Sequence, residues 1–174
     1  PQGNDLQTFV GYDGAVRKVS ESLPRPVGNT NFYNDSNPES YTVYEHSELN
    51  RIRESYGPGQ TWRENGKSVK YTYLYNTKTG DDHCYCLSAK DVGEDIKVEV
   101  KSYDANEVSI LRTTDEDGNV TDQFTDHEGK LILTRQKANG IPHDTYIVYD
   151  DHGRKRVVLP PLAADALGGH STFM

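Results

Sequence analysis

The stretch Thr145-Tyr146-Ile147-Val148-Tyr149-Asp150-Asp151-His152-Gly153-Arg154, which runs on into Lys155-Arg156-Val157-Val158-Leu159, decides the fold. β-formers lead into an acidic, glycine-closed reversal, and a second β-prone run leads out. An Asp side chain accepts backbone N–H bonds and so starts a turn. Glycine supplies the positive φ that closes it. The basic residue that follows opens the return strand, where it can stack on a tyrosine ring or pair with the Asp, each worth about 0.2–1 kcal/mol at a partly exposed site. Tyr149, Asp150, Gly153 and Arg154 therefore spell one β-hairpin.

Weaker copies lie upstream. Gln123-Phe124-Thr125-Asp126-His127-Glu128-Gly129-Lys130 keeps the Asp (Asp126), the Gly (Gly129) and the base (Lys130). Thr113-Thr114-Asp115-Glu116-Asp117-Gly118-Asn119 keeps acid and glycine, with Asp117 and Gly118 at its tip. Tyr41-Thr42-Val43-Tyr44-Glu45 through Asn50-Arg51 has Glu for Asp and Asn for Gly, and Tyr12-Asp13-Gly14 with Arg17 is a looser relative. One hairpin alone is marginal in water, so units of this kind must stack and share a buried face.

The remainder fits an all-β chain. Tyr71, Tyr73 and Tyr75 alternate, which sends three rings to one face of a strand, and the expected state of that face is sheet core or cross-strand pairing. Ile96, Val98 and Val100 alternate with Lys97, Glu99 and Lys101, the pattern of a strand with one wet side. Phe9 to Val19 reads as a single β-like run, and the segment holding Pro24, Pro26, Gly28, Asn29, Asn34 and Pro38 reads as loop. Tyr41 to Tyr44 and Arg51 to Ser55 suggest a hairpin, with a turn at Gly57-Pro58-Gly59 before Trp62. Helix is hinted at only where Pro160-Pro161 could open one and Gly168-Gly169 close it, giving a short turn or a frayed tail. The expected organisation is a loop-rich part with degenerate units over 1–70, a β-hairpin sheet over 71–160 and a tail over 161–174. The expected fold is consecutive antiparallel hairpins in an open twisted sheet with little helix.

Composition limits the function. The chain has 174 residues, the length of one domain or a domain with an appendage. Leu, Ile, Val and Phe make up only about a fifth of it, at the edge of what supports a core, and 12 tyrosines tip the balance. A net charge of -8 gives no general attraction for nucleic acid or anionic lipid, and no apolar run is long enough to span a bilayer. Neither nucleic acid nor membrane insertion is expected. The first residues, PQGNDLQTF, carry no signal-peptide pattern. Two cysteines rule out a disulfide framework.

The Tyr149-Asp150 to Gly153-Arg154 unit resembles a YD repeat, the building block of Rhs-family proteins, teneurins and insecticidal toxin-complex shells. Three stretches, YEHSELNRIRESYGPGQTW, TTDEDGNVTDQFTDHEGKLILTR and DTYIVYDDHGRKRVVLPP, are similar to Rhs and YD-repeat proteins of Bacteroidetes and together cover about a third of the chain. The resemblance implies the N-terminal part of a repeat array in a longer protein, secreted or at the cell surface, whose hairpins spiral into a β-shell. Such a shell encloses a C-terminal toxin or presents an adhesive surface, so the implied partners are the rest of the chain, an enclosed toxin domain, or a surface glycan or protein. The sequence departs from the repeat at Glu45, Asn50 and Asn119, has too few units to close a shell, and lacks the C-terminal core and self-cleavage region of long Rhs proteins.

The remaining candidates favour structure over chemistry. Asp115-Glu116-Asp117-Gly118-Asn119 has its Gly fourth where a calcium loop needs it sixth, so it reads as a turn. His83-Cys84-Tyr85-Cys86 cannot easily surround one ion with three ligands in four residues, and burial of its cysteines is expected instead. Histidines 46, 83, 127, 143, 152 and 170 are scattered, and no nucleophile elbow or zinc-protease motif occurs. No catalytic residue, cofactor or metal is expected. Trp62, Tyr71, Tyr73 and Tyr75 are the candidate binding aromatics, for a glycan or a protein. Strand edges left unpaired predict self-association.

Overall fold

The computed structural model describes residues 6–7, 10–13, 18–22, 25–26, 37, 39–167 and 172–173. Fifteen strands and two short helices form among them, an all-β, mainly antiparallel fold as the alternation and turn chemistry require. The chain divides into two compact units, one of residues 1–72 with 113–118, the other of 73–112 with 119–174.

In the first unit the strands are β1 (Leu6–Gln7), β2 (Val10–Tyr12), β3 (Lys18–Ser22), β4 (Arg25–Pro26), β5 (Tyr41–Tyr44), β6 (Ile52–Tyr56) and the start of β7 (Val69–Tyr75). β2, β3, β5, β6 and β7 make an antiparallel meander, while β1 and β4 pair separately. Three expectations change here. Phe9 to Val19 is not one run, because β2 and β3 form a hairpin in which Tyr12 faces Lys18. The Pro24–Pro38 segment contains a strand at Arg25–Pro26, tolerable because proline is accepted on an edge; Pro24, Gly28, Asn29, Asn34 and Pro38 lie outside the described residues. A helix, α1 (Gln60–Glu64), follows the Gly57-Pro58-Gly59 break where only a turn is expected from sequence. Arg63 pins it, donating to Asn37 Oδ1 at 2.7 Å and to the Glu39 carbonyl at 3.0 Å while lying 5.4 Å from the Tyr41 ring and 5.9 Å from the Tyr56 ring.

The second unit holds β8 (Tyr85–Val92), β9 (Asp95–Ser102), most of β10 (Ser109–Thr114), β11 (Val120–Thr125), β12 (Leu131–Ala138), β13 (Ile141–Tyr149), β14 (Lys155–Leu159), α2 (Pro161–Ala164) and β15 (Thr172–Phe173). Its strand order is β15-β9-β8-β13-β12-β11-β10, with β14 off that path and paired to β13. The Ile96-Val98-Val100 alternation holds: Val98 is buried with Ala89 and Val148, and Ile96 packs against that cluster. The main core joins Val108, Ile110, Phe124, Ile132, Leu133 and Tyr146 with Cys84, and it also takes Ala164 and Leu167. The end of the chain is thus not a frayed tail up to Leu167; Gly168 and Gly169 lie outside the described residues. Every fully buried apolar side chain among the described residues belongs to this unit.

Candidate functional site

The reversal at Asp150 is built as its residue types dictate. The Asp150 carboxylate oxygen Oδ1 accepts the N–H of His152 and of Arg154, both at 2.9 Å, and Arg154 Nε donates to Oδ2 at 2.8 Å. Gly153, at φ 75°, donates its N–H to the Asp150 carbonyl at 2.9 Å, and Asp150 N–H meets the Arg154 carbonyl at 3.0 Å. These bonds to the charged form, led by the Arg154 N–H, hold the Asp150 carboxyl down at about 2. Asp126 repeats the scheme, accepting from Glu128 N–H at 2.9 Å and Lys130 N–H at 2.8 Å, with Gly129 at φ 81°. The turn before it is partial: Asp117 N–H donates to Asp115 Oδ1 at 2.9 Å and Gly118 holds φ 86°, but Asn119 stands where the base should be. Lys67 comes in from elsewhere, donating to the Glu116 carbonyl at 2.9 Å and to Asp117 at 3.1 Å.

The degenerate unit of the first sheet keeps the same logic over a longer loop. Glu45 N–H donates to the Arg51 carbonyl at 2.9 Å, Asn50 takes φ 49° in place of Gly, and Arg51 grips the Glu45 carboxylate at 2.7 and 2.9 Å. The Ser47 hydroxyl bonds the same carboxylate and accepts the Leu49 N–H at 3.2 Å. Arg51 first, then Ser47, lower the Glu45 carboxyl to about 2. A common irregularity marks these hairpins: the strand register shifts at Gly11/Tyr12, Val43/Tyr44, Phe124/Thr125 and Val148/Tyr149, each time immediately before the acid. Such a bulge bends the strand into the turn. Gly14 and Arg17 of the first copy lie outside the described residues.

Successive units touch through a cation and a ring. Lys18 Nζ lies 4.6 Å from the Tyr44 ring centre, and Lys130 Nζ lies 5.6 Å from that of Tyr149. The Tyr149 hydroxyl donates to the Leu131 carbonyl at 3.0 Å, and a Cβ on Gly153 would meet Lys130 Nζ at 2.9 Å. Between the Asp126 and Asp150 turns lies an open cleft of about 430 Å³ over Leu87 and Ile132. Three of its acids are committed: Asp126 and Asp150 hold their turns, and Glu128 pairs with Lys130. No group of three metal-ligating side chains occurs among the described residues.

A second polar constellation escaped the sequence reading. Arg112, Asp122, Arg135 and Asp144 form a charged row on β10, β11, β12 and β13, beside the apolar row Ile110, Phe124, Leu133 and Tyr146. Arg112 bonds Asp122 at 2.7 and 2.8 Å and Asp82 at 2.7 Å; Arg135 bonds both Asp144 oxygens at 2.7 Å and the His83 carbonyl at 3.1 Å, and also the Asp81 carbonyl. The row therefore fastens the loop between β7 and β8 onto the sheet. The detectable signal was a charged residue two positions from an apolar one on adjacent strands, which places both on one face. The Asn139-Gly140 pair was a further signal not used: at φ 52° and 79° it makes the two-residue reversal between β12 and β13.

Cys84 is fully buried in the core and burial pushes its thiol up to about 12, while Cys86 is half-buried; both are free. His83 lies edge-on to Tyr85 at 4.8 Å, its pKa lowered by burial and then by the Arg135 charge. The aromatic face of β7 is not core. Tyr73 and Tyr75 are exposed, and Leu74, between them, packs on the core. Tyr71 is half-buried and Trp62 is 44% exposed, with Lys67 5.9 Å from its ring.

Comparison with known proteins adds one likeness. Residues 1–75 match a family described as a domain of unknown function, DUF6443. The match takes in β1 to β7, so the Asp126 and Asp150 turns lie beyond it. No curated protein and no solved structure matches the chain.

Proposed function

We propose that the chain is a non-enzymatic structural segment of Rhs/YD-repeat type, whose hairpins build part of the wall of a longer protein that is secreted or displayed at a cell surface. In the proteins it resembles, such a wall encloses a toxin or presents a surface. The observation that carries this reading is the recurring turn: a bulge, an acid that accepts the backbone, a left-handed residue and a base that reaches the ring of the next unit. The turn acids Glu45, Asp126 and Asp150 bond the backbone or the base of their own turn, as suits a scaffold.

A second reading, a glycan- or protein-binding module, is favoured by the exposure of Trp62 and Tyr75. Thermal melting and a glycan array on wild type, Trp62→Ala and Asp126→Ala separate the two. A scaffold loses stability in Asp126→Ala and neither stability nor a ligand in Trp62→Ala. A glycan held by wild type and lost in Trp62→Ala would replace the first reading with the second.

A further inference from the structure

The bases of the charged row are closely matched: Arg135, its side chain 9% exposed, has both Asp144 oxygens at 2.7 Å, and Arg112 has Asp122 and Asp82 at that distance. Lys137 breaks the pattern. It lies two residues further along β12, on the face of Arg135, and its side chain is only 19% exposed. Its one hydrogen bond among the described residues is to Asp81 Oδ2 at 3.4 Å, and that carboxylate is 89% exposed. Charge-assisted bonds close to about 2.7–2.9 Å. Lys90 lies as far from Glu99, but half of its side chain is in water, which completes its shell. Lys137 thus carries a largely enclosed charge with a poor partner.

The same side chain lines a pocket of about 140 Å³ between the end of the β7–β8 loop and the β12–β13 reversal, bounded also by Gly80, Asp81, His83, Arg135 and Gly140. The frame is set before any ligand arrives. Arg135 bonds the carbonyls of Asp81 and His83, and Gly140 belongs to the two-residue turn between β12 and β13. A Cβ added to Gly80 or Gly140 would meet nothing within 4 Å, so both glycines face open space. Among the described residues the His83 ring touches Tyr85 edge-on and makes no hydrogen bond. Burial, and then the Arg135 charge, lowers its pKa, so at neutral pH it is an uncharged imidazole with one N–H to donate. Asp81 shows what the ammonium accepts, which is a carboxylate oxygen. Arg135 holds the Asp81 backbone, and the carboxylate stays at the exposed rim.

We propose that this pocket binds a small oxyanion: a carboxylate, a sulfate or a phosphate. The anion displaces the Asp81 carboxylate, pairs with Lys137 and accepts the His83 N–H, on the positive side of Arg135. A pair in a partly enclosed pocket is screened less than one on the open surface, which lets a chain of net charge -8 hold an anion at this place. The pocket shares no residue with the turns at Asp126 and Asp150 or with Trp62, and it is independent of the scaffold reading.

An NMR titration of the full chain at pH 7 tests it, with sodium phosphate, sodium sulfate and sodium acetate each taken to about 50 mM and sodium chloride adjusted to keep the ionic strength constant. Saturable shifts are expected at the amides of Gly80, Lys137 and Gly140 and in the His83 ring, with a dissociation constant of roughly millimolar order. Lys137→Met keeps the apolar stem and is expected to bind at least about threefold more weakly. Lys137→Gln gives the same readout should the methionine variant melt early. Asp81→Asn removes the competing carboxylate and is expected to bind at least about threefold more tightly. Glu94→Gln makes the same change of charge in the exposed β8–β9 turn and should bind as wild type does. No saturable shift in any of the three salts, lysine variants that bind as wild type does, or an Asp81→Asn that gains no more than Glu94→Gln would each overturn the site. None of these would touch the scaffold reading, which stands on the melting of the turn variants.

Discussion

Gly129 and Gly153 hold φ at 81° and 75°, a region that costs a residue with a Cβ about 1–2 kcal/mol. Gly129→Val and Gly153→Val are therefore each expected to lower the unfolding free energy by at least ~1 kcal/mol, read from urea titration. The two sites then part company. Space around Gly129 is open, whereas a Cβ at Gly153 falls 2.9 Å from Lys130 Nζ. Gly153→Ala should cost more than Gly129→Ala, and shortening the side chain it meets with Lys130→Ala should erase the difference. Acid titration reads the same turns. Asp150 and Glu45 are held at about 2 in the fold, below the value near 4 of a free carboxyl. A depressed carboxyl contributes stability that is complete above about pH 4 and lost as pH falls through 4 toward 2. The melting temperature of wild type should drop across that window, and Asp150→Asn should start lower at neutral pH and drop less.

Among the elements, the charged row across β10 to β13 carries the sharpest expectation. Arg135 is 8% exposed, and its guanidinium serves Asp144 and two carbonyls of the β7–β8 loop while lying 5.2 Å from the Phe124 ring. Removing one member of a buried pair leaves the other charge unpaired, at a cost of about 3–5 kcal/mol, whereas replacing both with apolar groups is often neutral. Arg135→Ala should thus destabilise strongly in urea, and Arg135→Met with Asp144→Leu should recover part of the loss; a double variant as weak as Arg135→Ala would show that the carbonyls of Asp81 and His83 dominate. This row also explains what could be read in advance. The hairpins at Asp126 and Asp150 were legible because a turn is a local affair, decided by residues within five of one another. The Arg135 contacts span more than fifty residues to Asp81 and His83, and no local pattern encodes them. That Tyr73 and Tyr75 lie outside the core has a related reason: alternation assigns them a common face but not which face the core will take, and Leu74 packs on residues far along the chain.

For the molecule as a whole, apolar burial is uneven. The second unit owns the fully buried apolar side chains among the described residues, while the first is held by half-buried tyrosines under Lys18 and Arg63. Regions with few buried apolar contacts open at lower free energy. Amide exchange should therefore be slowest in β11 to β13 and faster in β2, β3 and β5. The cysteines supply an independent reading of the same gradient, because the thiolate is the reactive form and Cys84 is both sealed in the core and raised to about 12. A thiol reagent in native buffer should modify Cys86 first. Cys84 should react only through opening of the second unit, with a rate that rises with urea along the global unfolding slope. If Cys84 reacted as fast as Cys86 without denaturant, the core around Phe124 and Leu133 would not be the closed structure on which the hairpins of that unit depend.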